Sequence, residues 1–163
     1  MRALCAHIAT LGPLGYVPAA GTMASLLTAL ILYILQPSLL SFSLSLPVLL
    51  IMAYYCIAYA LPFFKVPDPS CIVLDEVIGC GVTYLGLTFL GLSEPLFLVA
   101  GLILFRVLDI TKPFPISWAE TLPGAYGVLA DDIVAGIAAG ILSIVGILLV
   151  IAARSAWILF YGL

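Results

Sequence analysis

The chain has 163 residues, of which 65% are hydrophobic and 8% charged, with a mean hydropathy of +1.34 and a formal net charge of −3. Soluble chains are about 25% charged, so a water-soluble globular domain is excluded, and no nucleic-acid partner is expected. The apolar runs are continuous rather than alternating, which also excludes a membrane β-barrel. What remains is an all-α polytopic membrane bundle, a single domain over residues 1–163, because a helix satisfies its own backbone hydrogen bonds inside a bilayer.

Residues 2–11 read as a weak, interfacial helix. The Gly- and Pro-rich residues 12–21 that follow exclude regular helix. That interruption also argues against a cleaved signal peptide, despite Arg2 and the short apolar run. Thr22 has the character of an N-cap, opening an apolar segment to about Leu35, with Pro37 and several serines beyond it. The second segment, about 46–64, is long enough to span, since ~20 residues cross a hydrocarbon core of ~30 Å. It ends at Lys65, and Pro67-Asp68-Pro69-Ser70 makes a short polar connection. A third segment, about 72–92, carries Asp75 and Glu76 near its start. A fourth follows the turn Gly91-Leu92-Ser93-Glu94-Pro95 and runs to Leu108. Pro113 and Pro115 stop the helix, residues 113–130 read as a loop, and the fifth segment, from Asp132 to about Ala153, is the clearest span. Four to five membrane segments are expected, the third and fourth being short enough for a re-entrant hairpin.

Parity then gathers the charges. Lys65, Asp68, Asp75, Glu76, Arg106, Asp109, Lys112, Asp131 and Asp132 all fall on the side that holds residues 12–21. That side also carries Arg2, whereas only Arg154 falls opposite, so the positive-inside rule makes it the cytoplasm. Cys5, Cys56, Cys71 and Cys80 form no C-x-x-C pair and read as small reduced hydrophobes. With His7 the only histidine, a zinc site or a histidine-based nucleophile is poorly supported.

Carboxylates without Cys or His suit a hard, oxygen-liking cation, and Mg²⁺ is the usual one where phosphate is also bound. Arg106, Lys112 and Lys65 beside them suit the phosphate. The loop that leads through Gly21 to Thr22 ends at a helix start, whose free N–H groups can hold an anion. Arg106 and Asp109, three apart, share a helical face. Asp75, Gly79, Thr83 and Gly86 form one stripe of small residues, and Asp132, Gly136 and Gly140 another. Such stripes mark close helix contact, so Asp75 and Asp132 should point into the bundle. Glu76 and Asp131, about 100° away around their helices, are weaker candidates as ligands.

Four blocks resemble the phosphatidylglycerophosphatase A family. They are Gly15-Tyr16-Val17-Pro18-Ala19-Ala20-Gly21-Thr22-Met23-Ala24-Ser25, Asp68 followed by Ile72-Val73-Leu74-Asp75-Glu76-Val77-Ile78-Gly79, Phe105 through Ile116, and Gly127 through Gly136. They follow the family's order and spacing over about residues 12–140. In the first block the family usually has Pro and Gly where this chain has Ala20 and Ala24, and in the third it tends to carry an aromatic where Thr111 stands.

The resemblance implies a Mg²⁺-dependent lipid phosphatase of the bacterial inner membrane, releasing the terminal phosphate of phosphatidylglycerophosphate to leave phosphatidylglycerol. Its metal ligands would be Asp75, Asp109, Asp132 and Asp68. The catalytic set would be Asp75, Glu76, Asp109, Asp131 and Asp132, with Arg106, Lys112, Lys65, Thr22 and Gly21 on the phosphate. The competing reading is a small multi-pass transporter or an assembly subunit. A transporter should carry its charges near the bilayer midplane, and the middles of these five segments carry none. Monomer and dimer are both compatible with the sequence.

Overall fold

A computed structural model describes residues 1–64, 69–92 and 94–162. Among these the chain is helical with no strand: α1 (Arg2–Ala9), α2 (Ala20–Leu35), α3 (Leu39–Ala60), α4 (Leu74–Phe89), α5 (Pro95–Thr111), α6 (Ile116–Glu120) and α7 (Ala125–Tyr161). Short 3-10 turns, Gly12–Tyr16 and Leu61–Phe63, follow α1 and α3.

Three element starts differ from the sequence expectation, each for a local reason. Thr22 does not cap α2. The chain turns at Ala19, in the left-handed region (φ 55°), and Met23 N–H donates to the Ala19 carbonyl at 3.0 Å, so the helix opens at Ala20 with Thr22 inside its first turn. The second long helix begins at Leu39 rather than near 46. Ser38 caps it, accepting from Ser41 N–H at 3.2 Å, and the serines beyond return their hydroxyls to helix carbonyls. Pro47 lies inside this helix, where its missing N–H forfeits one backbone bond. The expected 113–130 loop holds α6 and the first turns of α7, so Asp131 and Asp132 lie well within a helix rather than at its start.

Two helical stretches, Leu39–Phe63 and Ala125–Tyr161, are long and apolar enough to cross a membrane. The 16, 16 and 17 residues of α2, α4 and α5 reach only about 24–26 Å, short of a hydrocarbon core of ~30 Å.

Helix α4 is the hub, packed by α2, α3, α5 and α7. Its small-residue stripe meets that of α7 backbone to backbone. A side chain on Gly79 would strike Phe105 and the Asp132 carbonyl, and one on Gly136 would strike the Gly79 carbonyl. Thr83 Oγ1 donates across the seam to the Gly136 carbonyl at 3.2 Å, besides its own-helix bond to Gly79. This contact fixes the rotation of both helices and turns Asp75 and Asp132 inward.

Candidate functional site

Three helix ends and one helix interior converge on a cavity of about 560 Å³. The first turn of α4 supplies Asp75 and Glu76, the last turns of α5 supply Arg106 and Asp109, and the second turn of α7 supplies Asp131 and Asp132. Lys112 at the end of α5 and Gly21 in the first turn of α2 complete the rim. Thus eight of the sequence-expected residues, Gly21, Asp75, Glu76, Arg106, Asp109, Lys112, Asp131 and Asp132, line one cavity. Thr22 does not line it; what α2 offers there is its start, where the first N–H groups have no helical partner. Lys65 and Asp68 lie outside the described residues.

Asp75, Glu76 and Asp132 bring one carboxylate oxygen each to within 4.8 Å of one another. Asp75 and Asp132 are buried, at 8% and 3% exposure. Glu76 joins them, although helical spacing alone turns it away, because its side chain is longer and Gly21 leaves room. A side chain on Gly21 would collide with the Glu76 carboxylate and crowd Arg106. Asp109 stands close enough to Asp132 for their charges to repel, but its Oδ2 is engaged by Arg106 Nη1 at 2.7 Å. The same Nη1 lies 3.7 Å from Glu76 Oε1.

Within the described residues alone, five carboxylates therefore face two cations around this cavity. Among the described residues, Glu76 Oε2, Asp132 Oδ1 and Arg106 Nε are buried without a hydrogen-bond partner. Orphaned buried polar atoms are costly and rare, and an array of unpaired oxygen donors with no thiolate or imidazole among them matches the preference of a hard divalent cation. The residues present fit Mg²⁺. The buried, unpartnered Arg106 Nε in turn fits an anionic oxygen.

Lys112 is placed by an unusual backbone. It closes α5 in the left-handed region (φ 44°), a conformation that glycine adopts without strain and lysine does not. The turn carries Nζ to Asp131 Oδ2 at 2.8 Å and to Glu120 Oε1 on α6. Burial disfavours its ammonium, but the hydrogen bonds and charges of Asp131 and Glu120 outweigh that and raise its pKa above the ordinary lysine value. Glu120 is the site-side residue the sequence reading missed. Its only signal was rarity, one of eight acids in the chain, since nothing in its spacing points to Lys112.

Chemically, the cavity can hold a hard cation on carboxylates and a phosphate on an arginine, a lysine and a helix start, which defines a class of metal-and-phosphate site. The comparisons narrow the class: the chain belongs to the phosphatidylglycerophosphatase A family, whose model matches residues 7–147. It is similar to phosphatidylglycerophosphatase A of Escherichia coli K12 (42% identical over 83 residues, 50% of this chain and 46% of that protein). It is also similar to the protein of that name from Haemophilus influenzae (36% over 73 residues, 44% and 43%). A Bacteroides thetaiotaomicron protein with the provisional name phosphatidylinositol-3-phosphatase is 34% identical over 129 residues, 76% of this chain and 80% of that protein. The chain thus spans about half the length of the two phosphatidylglycerophosphatases it matches and most of the third relative. No solved structure matches it.

Proposed function

We propose that this protein is a Mg²⁺-dependent lipid phosphatase that hydrolyses phosphatidylglycerophosphate to phosphatidylglycerol and inorganic phosphate. The observation that carries the reading is the trio Asp75, Glu76 and Asp132, two of whose buried oxygens lack partners, set beside Arg106 and Lys112 in one cavity. Family membership supports the substrate class.

Asp75, Glu76 and Asp132 would hold Mg²⁺, with Asp109 as a further ligand from α5 and Asp68 as the remaining expected one. When bound, the ion supplies charge neutralisation at the phosphate oxygens and a lowered pKa for water. The chain's own residues do the positioning. Arg106 presents Nε, and Asp109 fixes the plane of its guanidinium, so the phosphate meets a pre-oriented donor. Lys112 offers a second, mobile point charge, held in reserve by Asp131 and Glu120. Gly21 and the start of α2, which lie against Glu76 and Arg106, add backbone donors. Asp131, bonded to Lys112, is a positioning residue.

The lipid reading places α3 and α7 across the bilayer and the shorter helices around them, in a multi-pass protein of the bacterial inner membrane. The cavity would open at headgroup depth on the cytoplasmic side, where a phosphomonoester of a lipid lies within reach. The relative named for a phosphoinositide supports a second substrate with the same chemistry, a phosphomonoester on a different headgroup.

Purified protein is expected to release phosphate from phosphatidylglycerophosphate, to stop in EDTA and to recover with Mg²⁺. Full activity in chelator would remove the metal from the reaction. Faster release from phosphatidylinositol 3-phosphate than from phosphatidylglycerophosphate would transfer the assignment to the second headgroup.

A further inference from the structure

A second cavity, of about 290 Å³, lies along the seam of α2, α3 and α4. Its lining comes from two of the helices that also line the first cavity, α2 and α4. On α4, Glu76 lines the phosphate cavity and the next residues, Val77 and Ile78, line this groove. On α2, the lining passes from Gly21 to Thr28 and on to Leu35, about 20 Å of helix in all.

The groove has no polar group to offer a ligand. Its two hydroxyls are already satisfied within their own helices, Thr28 on the Ala24 carbonyl at 2.8 Å and Ser45 on the Phe42 carbonyl at 3.2 Å. Phe42 and Tyr84 meet edge-on beside it with centroids 5.3 Å apart. Gly81 helps keep it open, since a side chain there would crowd Leu46. Ile31, Leu35 and Leu49 on its walls are 44%, 68% and 45% exposed, so the groove opens sideways. An α-helix with side chains is about 10–12 Å across, too wide for this volume. A single flexible hydrocarbon chain is not.

We infer that the α2–α3–α4 groove binds one acyl chain of the lipid whose phosphate occupies the acidic cavity, so that the enzyme selects substrate by chain as well as by headgroup. The inference rests on the lipid phosphatase reading above. Burial of the chain's methylenes in this groove adds apolar binding to what the phosphate gains in the acidic cavity.

The test compares long-chain with dihexanoyl phosphatidylglycerophosphate as substrates of the full-length protein in mixed micelles. Ile31→Trp, from an exposed wall position, is expected to lower the long-chain to short-chain ratio of kcat/KM about tenfold. Leu49→Trp, from the facing wall, should do the same, which guards against one variant misfolding. An unchanged ratio in both folded variants overturns the groove. If the wild type releases phosphate from neither lipid, the phosphatase reading fails on its own. The groove is then judged by photolabelling with a phosphatidic acid carrying a mid-chain diazirine. Label concentrated at Ile31, Leu35 and Leu49 over residues 148–151 of α7 supports it, and equal label overturns it.

Discussion

The two halves of α7 are built from different material and are held by different forces. From Ala125 to Ser143 the helix is lined with Gly127, Gly136 and Gly140, and Ala135 and Ala139 are fully buried. Beyond Ser143 it has no buried residue, and Leu148, Leu149 and Val150 stand 60%, 65% and 68% exposed. The first half is fixed by backbone contact with α4, the second by whatever apolar medium surrounds it. An apolar surface this continuous is unusual on a protein in water. The difference teaches that packing and function go together along one helix: the half with no buried residue carries none of the site residues, and the half that carries Asp131 and Asp132 is seated on its neighbours through small residues.

The largest effect should come from breaking the first half. Gly136→Leu drives a side chain into the Gly79 carbonyl, a backbone atom that cannot step aside, and ordinary overpacking already costs about 1–3 kcal/mol. The variant is expected to accumulate poorly and to lose its cooperative melt in detergent. Gly146→Leu, ten residues along, meets nothing within 4 Å and should melt with the wild type. Equal melting temperatures for the two variants would erase the distinction between the halves.

That distinction was partly legible in the sequence. In a chain with so few charges, Asp75, Arg106, Asp109, Lys112 and Asp132 stand out, and the spacing of Gly79, Gly136 and Gly140 announces close contact. Three features depend on geometry that no linear pattern carries. Glu76 joins Asp75 and Asp132 only through its extra methylene and the missing side chain of Gly21. Lys112 finds Glu120 through a left-handed turn that lysine rarely takes. The serine-rich start of α3 is helical because Ser38 caps it and the following hydroxyls bond within the helix, whereas composition alone suggests a loop.

An intermediate effect separates chemistry from architecture within the site. Asp109 bonds Arg106 at 2.7 Å, with the two side chains 14% and 16% exposed. If the pair is structural, neutralising one partner strands the other charge, at ~3–5 kcal/mol for a buried pair. If Asp109 is a ligand, Asp109→Asn removes only the charge that draws the cation and relieves its repulsion with Asp132. The variant is therefore expected to melt in detergent without Mg²⁺ no lower than wild type, while its phosphatase rate falls at least ~100-fold, about 2.7 kcal/mol of barrier. An unstable variant whose folded fraction is fully active would make Asp109 scaffolding.

The smallest effect concerns Glu120, which on the proposed reading would compete with the substrate for Lys112. Asp131 at 9% side-chain exposure is the fixed partner of that lysine, and Glu120 at 46% is the solvated one. An exposed pair is worth ~0.2–1 kcal/mol, so releasing Lys112 by Glu120→Gln should lower KM by no more than about fivefold and leave kcat alone. The gain should shrink as salt rises, because screening weakens the pair that the mutation removes. It should also be flat between pH 6 and 9. The folded pKa of Lys112 is raised, so the stability it contributes is fully present below the unfolded lysine value and is lost only as pH climbs through the folded one. A KM that rises in Glu120→Gln would mean that α6 aims Lys112 at the phosphate rather than restraining it.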